Sequence, residues 1–233
     1  MRWALIVAIS LVLSGCASVE TKRADRSATR TLKTIAVLQP LNEDGYTVWM
    51  YRHPANAFAV VGAFAMAADM GAKRDAFKEK MKEMQFDALK LINEQLTAEL
   101  QRNKRYEVTY LERKPQSTRC SEEDYSGVST TADAFLDLRV TPGYAAEGPT
   151  TPYLPFYEVC ARLVDARTKQ VLYQSFMRYG TPAYMPEGMR SLGTGAAHGF
   201  KNFDDLMANP QRVIQGLTIG ATSVARAVAA DIR

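Results

Sequence analysis

The residues able to do chemistry are few and far apart. Three cysteines stand at positions 16, 120 and 160, and the two histidines are His53 and His198. Both histidines fall in stretches that read as loops, so a metal site, which wants several convergent nitrogen, sulfur or carboxylate ligands, has little to build on. The spacings G-x-S-x-G, S-x-x-K and H-E-x-x-H do not occur, so neither an activated serine nor a zinc-protease pair is written in the chain. Residues Gly193 to Gly199 have the composition of a phosphate loop, but no strand leads into them and no lysine follows at the required place. Carboxylates come in adjacent runs, Glu122-Glu123-Asp124 and Asp204-Asp205. Adjacent carboxylates on loops read as solvated charge, and a working acid–base pair would meet only in space. The sequence therefore marks no catalytic residue, no metal ligand and no cofactor.

Cys16 is different, because its neighbours give its thiol a role. Met1-Arg2 is a short positive start, and Trp3 to Leu13 is an apolar run of about eleven residues. That run is too short to span a bilayer, which needs ~20 residues in helix. Leu13-Ser14-Gly15-Cys16 follows, an aliphatic residue, two small ones and the cysteine. This arrangement resembles the lipobox of bacterial lipoproteins. The resemblance implies that residues 1–15 are a signal peptide, and that Cys16 becomes the first mature residue, carrying diacylglyceryl and N-acyl chains. A single acyl chain binds a membrane marginally, whereas two or three attach it effectively for good. Ala17 follows the cysteine where an aspartate would retain such a protein in the inner membrane, so the resemblance implies the periplasmic face of the outer membrane.

With Cys16 acylated, an exported chain keeps two cysteines, Cys120 and Cys160. They read either as a disulfide or as two separate thiols, one in a strand and one in a loop. A bridge would close about forty residues and stabilise by roughly 4 kcal/mol. The net charge of +4 is small and includes Arg2 of the leader, so nucleic acid is not an expected partner.

Beyond the leader, residues 16–33 read as a flexible tether whose Lys22, Arg23, Arg26, Arg30 and Lys33 either stay solvated or touch anionic headgroups. Residues 34–233 then form one α/β domain. Thr34 to Pro40 is a buried opening strand, and Thr47 to Arg52 a second short one. Between about 55 and 71 the chain is almost wholly apolar and alanine-rich, which favours helix. Small residues recur every fourth position, at Ala55, Ala59, Ala63, Ala67 and Gly71, forming a ridge along which another helix or a membrane could approach closely. The segment reads either as a helix buried in the domain's own core or as an oligomerisation or membrane-inserting element.

A three- and four-residue apolar rhythm predicts a long helix over about 73–103, and alternation predicts a strand over 106–111. Strand, helix, strand is a crossover unit, so these two strands should be parallel. Further strands are expected over 132–141, 157–164 and 170–179, with a hairpin turn at Asp165 to Lys169, and a last helix over about 210–232. The expected fold is a mixed sheet of four to five strands packed by the long and the C-terminal helices. Two loops, 142–157 and 180–200, carry aromatic and methionine side chains among prolines and glycines. Tyr144, Tyr153, Phe156, Tyr157, Tyr184 and Met185 are the candidate partner-binding residues there.

This order of elements behind a lipobox resembles the lipoproteins of curli secretion and of penicillin-binding-protein activation, whose α/β domain is similar to the N-terminal domain of the translocation protein TolB. The matching parts are Thr34 to Pro40, the 73–103 helix, and the turn from Asp165 to Leu172. The apolar segment 55–71 departs from the activator pattern. The resemblance implies a non-enzymatic, membrane-anchored accessory protein with a protein partner in the envelope. The alternative implied by segment 55–71 is an oligomeric membrane-inserting or secretion component, and a second alternative is an envelope enzyme with a carboxylate site.

Overall fold

The computed structural model describes residues 20–42, 45–102, 105–112 and 124–233. Strands β1 (Thr34–Leu38), β2 (Thr47–Met50), β3 (Glu107–Leu111), β4 (Ala134–Ala146), β5 (Leu154–Asp165), β6 (Val171–Tyr179) and β7 (Arg190–Ser191) form one seven-stranded mixed sheet. Its order is β3-β1-β4-β5-β6-β7, with β2 beside the far end of β4. The α/β class is as the sequence predicts. The strand count is larger than four to five because β2 and the short β7 both pair into the sheet. Buried on both faces, the apolar run of β1 lies parallel to β3 on one side and β4 on the other.

Pro142 and three later prolines suggest a loop from 142 onward, yet β4 continues to Ala146. The physical reason is local. Along β4, the neighbour on one side changes from β1, paired at residues 134–136, to β2, paired at 143–146. Pro142 falls in the gap between those pairings, where its missing N–H costs no ladder bond. Gly143 is needed beside it, since a Cβ there would stand 1.9 Å from the Thr47 carbonyl oxygen.

Helices α2 (Ala59–Glu83), α3 (Ala88–Gln101) and α5 (Pro210–Asp231) pack on one face of the sheet, with α1 (Arg26–Arg30) and α4 (Phe203–Ala208) at the margins. The helix expected over 73–103 is two helices. Gln85 adopts a left-handed φ of +52°, and Asp87 then caps α3 by accepting from the Leu89 and Lys90 amides. The apolar segment and the first part of the predicted helix are instead continuous in α2. From α5, Val213, Leu217, Val224 and Val228 enter the core, where they meet Ile92 and Leu96 of α3. Gly216 and Gly220 allow α5 this close: a Cβ would lie 2.3 Å from the Tyr144 hydroxyl and 2.6 Å from the Tyr157 ring.

The other sheet face carries a polar ladder. Cross-strand neighbours Asp137, Arg162 and Gln174 are all buried, and Arg162 Nε donates to Gln174 Oε1 at 2.7 Å. The Tyr125 hydroxyl covers Asp137 with a 2.7 Å hydrogen bond, and Arg178 pairs with Glu158 at 2.7 Å. Cys160, between these pairs on β5, is disulfide-bonded. Cys16 and Cys120, like the lipobox residues Leu13, Ser14 and Gly15, lie outside the described residues.

The tether reading needs correction from residue 20 onward. Lys22 forms an antiparallel bridge with Gln174, its amide and carbonyl both bonding at 2.8 Å, and Asp25 caps the short helix α1. The chain is thus tied to the sheet six positions after Cys16. Thr34 begins β1 immediately after, held by Asp133, whose carboxylate accepts from the Lys33 and Thr34 amides at 2.7 and 2.9 Å.

Those two amides hold the Asp133 carboxyl below the ordinary carboxylate range, and the Thr168 amide does the same for Asp165 at the hairpin turn. Groups lowered by folding stabilise the fold above the unfolded carboxylate range and lose that contribution as pH falls through their folded values. Thermal stability should therefore decline below about pH 4. Asp133→Asn should cost ~1 kcal/mol of unfolding free energy at most at neutral pH after solvent screening, and flatten the acid limb. An acid limb of unchanged slope in a calorimetric pH series would count against this role for Asp133.

Candidate functional site: an exposed apolar arm

The segment that begins at Pro54 is positioned from its base. His53 caps the short 3-10 turn Pro54–Phe58 through its Nδ1, and its Nε2 lies 3.1 Å from Asp69 of α2. Lys73, one turn on, bonds the same Asp69 oxygen at 2.6 Å. Burial would raise the Asp69 pKa, but these two partners together hold it below the ordinary range. Ala59 then takes a positive φ of +47° and reverses the chain into α2. The turn folds back tightly on the helix: a Cβ at Gly62 would stand 1.7 Å from the Ala55 carbonyl oxygen. Only glycine permits that approach.

The two ends of α2 live in different environments. Met70, Phe77 and Met81 are buried, and Phe77 meets the rings of Tyr46 and Tyr144 at 5.7 and 6.0 Å. Above Asp69, only Gly62 is buried. Phe58, Val60, Val61 and Phe64 are 71, 70, 77 and 74% exposed. No charged residue occurs from Pro54 to Ala68. These four side chains alone present on the order of 500 Å² of apolar surface, comparable to the largest patch on a typical monomer and often functional. Covering it would release on the order of 10 kcal/mol before the costs of association.

The reading of this segment as monomer core is therefore overturned for its first three turns. The last pair of β2 in the sheet is Met50 with Ala146, and before Asp69 only Gly62, set against the leading turn, is covered; among the described residues α2 packs chiefly on β2, α4 and that turn. The small-residue ridge also changes. Ala59, Ala63 and Ala67 lie exposed on one helix, whereas Ala55 belongs to the preceding turn and Gly71 is half-buried at the base.

The aromatic-loop surface is corrected too. Tyr144 and Tyr157 are fully buried, and Tyr153 and Phe156 nearly so, because strands β4 and β5 extend through the region and turn these rings inward. The Tyr144 hydroxyl donates to the Val213 carbonyl at 3.1 Å, and its ring packs on Phe200 at 5.4 Å. Of that set only Tyr184 is exposed, stacked on Tyr51 at 5.5 Å, while Met185 is half-buried. The candidate ridge of small residues leaves out Phe58, Val60, Val61 and Phe64, whose burial is what separates the core reading from the assembly reading. The signal that could have found them is the absence of any polar stripe: a helix buried on one side carries charge on the other, and this stretch carries none.

Among the described residues, no group of three His, Cys, Asp or Glu could hold a metal ion. Asp205 serves as a local bonding partner in α4, accepting from the Asn209 side chain, and Asp124 accepts from Ser126. Glu122 and Glu123 lie outside the described residues. His198 stands in a 3-10 turn of its own, Ala196–His198, and His53 caps another, Pro54–Phe58.

No protein-family model matches this chain, and none of the curated proteins matches it. Among solved structures, the crystal structure of protein XCC0632 from Xanthomonas campestris, of the DUF330 family, aligns over 90% of both chains at 10% identity and a TM-score of 0.38. A likeness that loose carries no functional argument.

Proposed function

We propose that this chain is a lipid-anchored lipoprotein of the cell envelope, held through Cys16 at the periplasmic face of the outer membrane. It acts without catalysis, by docking the apolar arm 54–68 on a protein partner. The observation that carries this reading is the exposure of Phe58, Val60, Val61 and Phe64 on a helix whose other half is locked in the core. Acylation of Cys16 leaves Cys120 as the partner of the disulfide-bonded Cys160.

The arm points away from the anchor. Lys22 pairs at Gln174, whose row across the sheet runs through Arg162 to Asp137. The arm rises from β2, whose last pair is Met50 with Ala146, nine residues further along β4. That is ~30 Å of strand, and the six residues from Cys16 to Lys22 reach at most ~20 Å. A surface facing the anchoring leaflet would lie at the other end of the sheet, so a partner in the periplasm fits the geometry better than the anchoring membrane.

A second reading, an oligomeric membrane-inserting or secretion component, is favoured by one observation. Helical residues Pro54–Glu83 are long and apolar enough to cross a membrane by length and composition. Against it, the free helical part from Ala59 to Ala68 is only ~15 Å long, half the ~30 Å hydrocarbon thickness, and a full crossing would tear Phe77 and Met81 from the core.

Two measurements test the proposal. Cys16→Ala should release the protein from the membrane fraction or leave it uncleaved, and unchanged membrane attachment would sink the anchor. A photo-reactive residue at position 61 in the full chain should give one discrete protein adduct in intact cells. Adducts to lipid alone would replace the docking reading with the insertion reading, and a ladder of self-adducts would replace it with assembly.

A further inference from the structure

The anchor end of the fold holds a second feature, opposite in character to the arm. Between residues 21–26, β6, β7 and the end of α5 lies a cleft of about 560 Å³. Lys22, Arg23, Arg26, Arg190 and Arg233 line it against one acidic side chain, Asp231. Both Asp231 oxygens are already engaged, one by Arg190 at 2.8 Å and the other by the Tyr173 hydroxyl at 2.8 Å. The nearby Asp25 carboxylate is turned to its own helix, accepting from the Ser27 amide and hydroxyl. Lys22 and Arg233 each donate to a backbone carbonyl rather than to a carboxylate, and Lys22 also feels the Asp25 charge without bonding it. Arg23 and Arg26 make no ion pair or hydrogen bond among the described residues. Five cations, set against the Asp231 and Asp25 carboxylates, thus surround a concave polar floor that includes Ser175 and Gln174.

We infer that this cleft binds a phosphate ester anion, and specifically the headgroup phosphate of an anionic phospholipid. Planar guanidinium groups match phosphate oxygens two at a time, which fits them for this anion better than for a diffuse negative surface. The source follows from position. Thr21 and Lys22, at the cleft's edge, lie five and six residues after Cys16, so within ~20 Å of the headgroup layer when Cys16 is acylated. The choice of lipid over soluble phosphate therefore rests on the lipoprotein reading; the cleft itself does not. Bound headgroups would fix the domain upright on the membrane, with the arm directed to the periplasm.

The test is titration calorimetry on the full chain in a non-ionic detergent, with three probes: dihexanoyl phosphatidylglycerol, dihexanoyl phosphatidylcholine and inorganic phosphate. The glycerol lipid should bind saturably, and the choline lipid, with no net charge, at least several-fold more weakly. Raising salt should weaken binding. Arg23→Ala with Arg26→Ala should cost roughly tenfold or more in affinity, and Arg23→Lys with Arg26→Lys should recover most of it. Both side chains are exposed, so an unchanged melting temperature verifies that the fold is intact. Inorganic phosphate binding as tightly as the glycerol lipid would overturn the lipid assignment in favour of a soluble phosphate. Binding unaffected by the alanine pair, or none by any probe, would overturn the site. Mass measurement of the peptide bearing Cys16 reads the anchor separately, so failure of the lipoprotein reading and failure of the cleft are told apart.

Discussion

Val61→Asp combined with Phe64→Asp should abolish association through the arm while leaving the fold as stable as before. Both side chains are about three-quarters exposed, so neither contributes to the monomer's core. Surface changes of this kind usually move stability by no more than about 0.5 kcal/mol. In a docked state the same positions would be dry, and burying two unpaired carboxylates there would cost several kcal/mol. Affinity for any apolar partner should fall about a hundredfold or more. Photo-crosslinking from position 60 in the full chain, compared in intact cells with and without the two substitutions, and thermal melts measure the two quantities. Ala63→Leu belongs to the same series: exposed on the ridge, it should spare the melting temperature. A melting point lowered by several degrees in these variants would return the segment to the monomer core. Association that persists in the double aspartate variant would remove the arm as the docking surface.

Thirteen residues further along the same helix, Phe77→Ala should have the opposite effect. Phe77 is fully buried, wedged edge-on between Tyr46 and Tyr144. Truncating it removes the transfer free energy of the ring and leaves a cavity that the rigid sheet beneath cannot close. The expected loss is about 3–5 kcal/mol, roughly a 10 °C fall in melting temperature for a domain of this size. Phe64→Ala, the matched control, should change stability by less than about 0.5 kcal/mol. Similar losses from both phenylalanines would contradict the division of α2 into a packed base and a free arm.

That division explains why so much of the fold could be read and the site could not. The hairpin at Asp165 to Lys169 is legible because its turn chemistry is local: the Asp165 carboxylate accepts from the Arg167 and Thr168 amides, two and three residues along. Strand β1 is legible as a short apolar run ended by Pro40, and β4, β5 and β6 because a residue's face alternates with its number. The break at Gln85 is harder, since the apolar rhythm runs through it, and a cap by Asp87 differs little in sequence from any surface aspartate. The ends of β4 and β5 were hidden by prolines. Pro142 reads as a loop marker in one dimension, and its tolerance depends on which strand lies beside it.

The sequence by itself determines the α/β class, the parallel crossover, the antiparallel hairpin and the C-terminal helix, because backbone periodicity and turn chemistry are properties of neighbouring residues. It also determines that segment 55–71 is helical and apolar. Only the tertiary structure decides what that apolarity faces. Burial depends on where the sheet ends: Met70 and Phe77 lie below its edge and are covered, while Val61 and Phe64 lie beyond it and are bare. The same dependence turns Tyr144 and Tyr157 from candidate contacts into core. It also gathers Lys22, Arg23 and Arg26 with Arg190 and Arg233, more than 160 positions away, around one cleft.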